Sequence, residues 1–198
     1  MMRHAMVSLL ILFSLLLPSC TDSRPPVESG TPTPVQGASP RIGPALFDGL
    51  NAREALALAN KWGTTTPEVQ SFVDTEAVKV TFKKSGKTVE IPLPNDQLVV
   101  AFAPYISKTH PCQIHYMSGC QGELIETTVK VTATAADGTI LLDEEITTMK
   151  NGFLELWLPR NQEIMVTMEA LGRKAEGRIG TFPRSNTCIT TFQLPYPD

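Results

Sequence analysis

The residues best equipped for chemistry lie in one window, His110-Pro111-Cys112-Gln113-Ile114-His115-Tyr116-Met117-Ser118-Gly119-Cys120, continued by Gln121-Gly122-Glu123. The chain has three histidines and four cysteines. Outside an N-terminal leader, both remaining histidines and two of the three remaining cysteines fall here. Thiolate and imidazole bind borderline and soft ions such as Zn(II) and Cu(I), and the Met117 thioether would add a preference for Cu(I) as a weak donor or guard. The alternative is a disulfide-closed loop carrying two surface histidines. His110 precedes Pro111, which favours extended backbone, and reads as a surface imidazole. Glu123 reads as either an outer acceptor for the site or a solvated strand-start residue.

The third sulfur, Cys188, stands far along the chain in the last expected strand. If that strand runs beside the one that follows Cys120, then Cys112, Cys120, Cys188 and His115 form a Cys3His set. Tetrahedral Zn(II) accepts such a set, and trigonal or digonal Cu(I) accepts it with a ligand to spare. Structural zinc sites favour C-x2-C knuckles, whereas here Cys112 and His115 make the first pair and the next sulfur comes five residues later. Three thiols also suit copper chemistry. Closing one disulfide supplies two electrons, enough to reduce two Cu(II) ions one at a time, while the third sulfur and His115 hold Cu(I).

The leader sets the compartment in which these thiols would work. Arg3 precedes an apolar run from Ala5 to Leu17, followed by Leu17-Pro18-Ser19-Cys20. The run is too short to span a bilayer and reads as an export signal, residues 1–19, ending in a lipobox-like sequence that makes Cys20 the expected lipidation site, diacylated and open to palmitate labelling. With Cys20 carrying lipid, three thiols remain, an odd number in an oxidising compartment, so at least one is left for a metal, a redox role or an intermolecular bridge. Residues 20–45 then form a tether, with Pro25, Pro26, Pro32, Pro34, Pro40 and Pro44 among Ser, Thr and Gly. The expected location is extracytoplasmic, lipid-anchored to the membrane of the cell envelope or periplasm.

The elements that must position the window follow from periodicity. Residues 46–106 read as a helical and β part. Asn51 is an N-cap with Glu54 as its capping-box partner, and Gly63 stops the helix. Thr66-Pro67-Glu68 suggests a second short helix carrying Val69, Phe72 and Val73 on one face. From Val78 the period becomes two, through Phe82, the Ser85-Gly86 turn, Val89 and Ile91, with a further strand from Leu98 to Phe102. Residues 107–198 read as β-rich: Thr127 to Thr134, an Asp137-Gly138 hairpin turn, Ile140 to Ile146, an Asn151-Gly152 turn, then Phe153 to Leu158, Ile164 to Leu171, Gly177 to Phe182 and Cys188 to Leu194. Trp157, Phe182, Met165 and Met168 have spacings that suit inward strand positions. The expected class is α+β, with short N-terminal helices and a small antiparallel sheet followed by a sandwich- or barrel-like C-terminal part.

Several functions are excluded or left without support. A net charge of −3 gives no basic field for nucleic acid. No Walker loop, nucleophile elbow or carboxylate pair suggests hydrolysis, and no C-x-x-C motif supports a thiol-disulfide exchange enzyme. A β-sandwich lipoprotein with a structural disulfide and no metal stays open as an alternative, as does a thiol-disulfide exchange protein, which the missing C-x-x-C motif weakens.

Cys112-Gln-Ile-His115-x4-Cys120-Gln-Gly-Glu123, with Cys188 at long spacing, resembles the CueP-type periplasmic copper-resistance family from about Leu46 to the C-terminus. The resemblance implies a copper ion (Cu+ or Cu2+) held by Cys112, Cys120 and Cys188, with His115 as the matching histidine. It further implies roles in copper tolerance, Cu(II) reduction and delivery to an exported copper-zinc superoxide dismutase, and a homodimer formed through the N-terminal part. The expected lipid anchor and long tether depart from a freely diffusing carrier and fit a tethered copper buffer or reductase.

Overall fold

A computed structural model describes residues 42–196. The expected export signal, the lipidation site Cys20 and nearly all of the tether lie outside these residues. Among the described residues one α-helix and ten strands build three small sheets, a β-rich α+β architecture without a closed barrel. No described helix is long and apolar enough to cross a membrane.

A 3-10 turn at Pro44–Phe47 leads into α1, Ala52–Trp62. Its start is the expected capping box: Asn51 Oδ1 accepts from the backbone N–H of Arg53 (3.0 Å) and Glu54 (3.1 Å), and Glu54 Oε2 accepts from Asn51 N–H (2.9 Å). The buried face is Ala52, Ala55, Leu56 and Ala59, small enough for the helix to lie close on the strands beneath it. Edge-on contacts among Phe47, Trp62 and Phe82, with ring centroids 5.5 to 6.3 Å apart, seal its C-terminal end.

The segment after α1 departs from the sequence expectation. Where a second helix was expected, Val69–Val73 forms β1, antiparallel to β2 (Ala77–Phe82), which pairs with β3 (Lys87–Pro92). Val69, Ser71 and Val73 are buried while Phe72 points the other way, where its ring meets Tyr116 at 5.2 Å and Lys79. An inward serine hid the period of two. Ser71 is tolerated there because its N–H donates to Ser118 Oγ (3.0 Å), which donates back to Ser71 O (3.2 Å).

The second sheet is β10-β4-β7. In its centre β4 (Gln97–Phe102) pairs antiparallel with β7 (Leu154–Pro159) and parallel with β10, which is only Cys188–Ile189. The expected strand from Cys188 to Leu194 is therefore mostly irregular chain. The third sheet, β6-β5-β8-β9, is a meander-like antiparallel array of β5 (Thr128–Ala135), β6 (Ile140–Thr147), β8 (Glu163–Ala170) and β9 (Arg173–Gly180). Asp137-Gly138 closes the β5–β6 hairpin as expected. Asn151-Gly152 also turns the chain, but into a different sheet: β7 leaves β6 and joins β4, so this turn is a corner and not a hairpin.

Buried side chains segregate into two clusters. The larger runs from α1 through all three sheets and includes Leu98, Val100, Phe102, Leu154, Leu156, Leu158, Val166 and Met168. The smaller comprises Ala101, Ala103, Phe153, Cys120 and Cys188, with Cys112, Tyr116 and Met149 packed on it. Alternation marks the split only at the end of β4, where Val100 and Phe102 belong to the larger cluster and Ala101 and Ala103 to the smaller; Val99, earlier on the strand, packs in the larger.

Candidate metal centre

The chamber is assembled from three directions. Ala101 and Ala103, on and just after β4, and Phe153, before β7, supply its apolar wall; β10 brings Cys188; and the irregular segment 110–123 brings the remaining sulfurs and imidazoles. Cys188 thus reaches the others beside the strand that precedes the window, not beside the strand that follows Cys120. The register Cys188↔Ala101 fixes its height against the wall.

The window itself is pinned at several points. Val73 and His115 form an isolated antiparallel bridge, with Val73 N–H donating to His115 O (2.9 Å). Thr187 completes the clamp: its hydroxyl donates to Val73 O (2.6 Å) and accepts from His115 N–H (3.2 Å). The backbone N–H groups of Thr187 and Cys188 both donate to Gln113 O (3.0 and 3.2 Å). One buried threonine therefore ties β1, the window and β10 together.

The residues after Cys120 have distinct mechanical tasks. Gly122 passes so close to Gly152 that a Cβ on either would lie 2.5 Å from the other's carbonyl oxygen, and Gly122 N–H donates to Asn151 O at 2.6 Å. Glu123 Oε2 accepts from three successive backbone N–H groups, Ile106 (2.7 Å), Ser107 (2.8 Å) and Lys108 (3.1 Å). Of the two sequence readings of Glu123, neither fits fully, because the carboxylate acts as an anionic plug for the loop that leads into the window. Desolvation opposes its ionisation, but the three donors outweigh this and hold its carboxyl below the usual value of 4.5. A depressed folded pKa contributes stability that is fully present above the unfolded value and is lost as pH falls through the folded one. Glu123→Ala is therefore expected to lower unfolding stability at pH 7 by roughly 1–2 kcal/mol, after discounting for its partial exposure. Urea unfolding at pH 7 and pH 3 checks this: the gap between parent and variant should shrink at the lower pH.

Around the chamber, two groups of donors each have all ligand atoms within 4.8 Å of one another: His115, Cys120 and Cys188, all buried, and His110, Cys112 and Cys120, of which the first two are half-buried. Cys120 belongs to both. Its Sγ lies 3.4 Å from Cys112 Sγ and accepts from Tyr116 N–H at 3.4 Å, while Cys112 donates to Ile114 O at 3.2 Å. All three thiols are unbridged.

The protons in this cluster are unevenly shared. The adjacent Cys188 thiol, then the His115 imidazole, Tyr116 N–H and Cys112, together overcome burial and hold the Cys120 thiol far below its ordinary value. Cys188 is pushed strongly up, first by the adjacent Cys120 sulfur and then by burial. Burial is the main reason that Cys112 is raised, to about 11. Of the three thiols, Cys120 is thus the one whose surroundings favour the thiolate.

His115 is completely buried, its ring 4.7 Å from that of Phe153. Burial alone would lower its pKa, but the Cys120 sulfur and the Glu155 carboxylate outweigh that and raise it. Nε2 lies 3.3 Å from Glu155 Oε1, within ion-pair reach but off the hydrogen-bond direction, so neither ring nitrogen has an aligned partner among the described residues. A buried imidazole with unsatisfied nitrogens beside thiols fits a metal-binding role, because a bound ion would supply the missing partner.

The sequence reading missed two participants. Glu155 sits on β7 at a position that alternation assigns to solvent, yet it faces His115 and accepts from Asn60 Nδ2 of α1 at 2.8 Å. A single acidic residue in a strand gives no signal of this. His110, expected at the surface, is half-buried beside Cys112 and Cys120. Met117, by contrast, packs fully buried in the larger core, away from a donor or guard role. Glu155→Gln is expected to keep the Asn60 contact while weakening metal affinity roughly 10–100-fold, the usual cost of losing an outer partner of a ligating histidine. Competition with a metal chelator on parent and variant measures it.

Fold and site together define a β-rich protein built round a buried sulfur and imidazole cluster of metal-binding composition. The chain belongs to the CueP family: residues 59–193 match the family model for the periplasmic copper-binding protein CueP. The crystal structure of S.CueP is similar, with 28% sequence identity and a TM-score of 0.68, over 76% of this chain and 92% of that one. No curated protein matches the chain.

Proposed function

We propose that this protein is an exported copper-binding protein, lipid-anchored through Cys20, that holds Cu(I) with Cys120, Cys188, His115 and Cys112 and reduces Cu(II) with the same thiols. The observation that carries the reading is the convergence of two buried, unbridged sulfurs, Cys120 and Cys188, on an unsatisfied buried imidazole, with the Cys112 sulfur 3.4 Å from that of Cys120. Thiolate-rich sets of low coordination number select Cu(I) over harder ions, and an apolar chamber excludes the water that would compete for it.

Reduction follows from the same proximity. Two thiols joining as a disulfide release two electrons and two protons, and two Cu(II) ions take one electron each to become Cu(I). Cys112 and Cys120, with sulfurs 3.4 Å apart, are the pair nearest to that bond. The Cys120 thiolate is the nucleophilic member. Copper tolerance, or delivery to an acceptor such as an exported copper-zinc superoxide dismutase, is the corresponding physiological role, and family membership supports a periplasmic setting.

Anaerobic titration of the reduced protein tests both parts. Competition with a colorimetric Cu(I) chelator should show tight binding of one ion, and addition of Cu(II) should consume two thiols per two Cu(I) formed. Binding without thiol loss removes the reductase part, and failure to compete for Cu(I) removes the whole reading.

A further inference from the structure

We infer that His110, Cys112 and Cys120 form a second, outer copper position through which Cu(I) reaches the buried one, with Cys120 bound to the ion throughout. The inference rests on the copper-binding reading above and concerns the route, which that reading leaves open.

The geometry separates two donor sets. His115 and Cys188 are 0% and 1% exposed and do not line the cleft that opens on this side of the molecule. That cleft, about 470 Å³, is lined by His110, Cys112, Cys120 and Tyr116 together with Gln70 and Gly119. An ion arriving on a carrier can meet only donors that solvent can reach, and of the five these are His110, Cys112 and one flank of Cys120. Phe153 stands beside both sets: its ring is 4.7 Å from that of His115 and 6.3 Å from that of His110, so the two imidazoles share one aromatic wall.

Transfer between the positions needs no free ion. The Cys120 sulfur belongs to both triads, and the ligand atoms within each lie within 4.8 Å of one another. Moving inward, the ion exchanges its bonds to His110 nitrogen and Cys112 sulfur for bonds to His115 nitrogen and Cys188 sulfur while keeping the one to Cys120. Cys188 gives up its thiol proton and the departing Cys112 sulfur takes one, so charge and protons balance within the chamber. Such associative exchange avoids the barrier of stripping a soft ion from all its ligands at once.

The test uses anaerobic, reduced protein and the Cu(I) complex of a chromogenic chelator as the metal source. His110→Gln should slow loading at least about tenfold, while equilibrium affinity falls by less than about threefold. His115→Gln should instead lower affinity by more than about tenfold. His110→Met, which restores a soft donor, should recover most of the loading rate, which a merely structural role for His110 would not allow. Parental loading by His110→Gln overturns the inference, as does an affinity loss equal to that of His115→Gln or a His110→Met variant as slow as His110→Gln. A parent protein that takes no Cu(I) from the chelator would instead sink the copper-binding reading itself.

Discussion

Cys120→Ser is expected to weaken Cu(I) binding by more than the roughly 100-fold that marks loss of an outer-shell partner, because it removes the ligand common to both donor groups. No other thiol can take its place. Its surroundings pull the Cys120 thiol far below its ordinary value, whereas burial pushes Cys112 up and the neighbouring Cys120 sulfur pushes Cys188 up. The substitution also removes the sulfur nearest to Cys112 and so abolishes the proposed two-electron step. Its cost to the fold is small, since serine is close in size and Oγ can still accept the Tyr116 N–H. Chelator competition, read beside a thermal melt, separates the two effects: affinity should collapse with a melting temperature within a few degrees of the parent. Cys112→Ser should cost less affinity, since the buried set of His115, Cys120 and Cys188 survives it. Parental affinity in Cys120→Ser would contradict the central place given to this sulfur.

Gly122→Ala is the change expected to do most damage to the scaffold. A methyl group there would lie 2.5 Å from Gly152 O, 2.9 Å from Gly152 C and 3.2 Å from Ala103 Cβ, so backbone and not a flexible side-chain tip would have to move. Overpacking of this kind costs about 1–3 kcal/mol or more. For a folded region of this size each kcal/mol lowers the melting temperature by roughly 2–4 °C, which places the expected loss at about 2–12 °C. Gly122 stands two residues from Cys120 and one from Glu123, so displacement should also loosen the metal site. Gly119→Ala is the control: the nearest atom to its added methyl is Tyr116 Cβ at 3.9 Å, and its stability should stay within about 0.5 kcal/mol of the parent. A parental melt for Gly122→Ala would show that the contact with the 151–152 corner is dispensable.

What could be read from the chain, and what could not, divides by the range of the interaction. The capping box of α1, the Asp137-Gly138 hairpin and the alternating strands β2, β3 and β5 to β8 are local, and residue spacing announces them. β1 escapes the sequence pattern because Pro67 after Thr66 imitates a helix start and Ser71 breaks the apolar alternation; the reason for Ser71 facing inward is Ser118, far away in sequence. The chemical character of the site was legible from Cys112, His115 and Cys120 alone. Its assembly was not. The parallel pairing of Cys188–Ile189 with β4 is two residues long and is fixed by Thr187 and Gln113, which carry no periodic signal. Glu155 and His110 enter the site through tertiary packing, against what alternation and the following proline suggest.

β4 lies between two interiors, with leucine, valine and phenylalanine turned to the main core and Ala101 and Ala103 beside the thiols. A dividing wall of this kind answers to two landlords. Substitutions elsewhere in either compartment can accumulate without reaching the other, so drift in packing need not disturb ion selectivity. Along the end of this strand every position is committed to one interior or the other, and divergence among relatives should be slowest there.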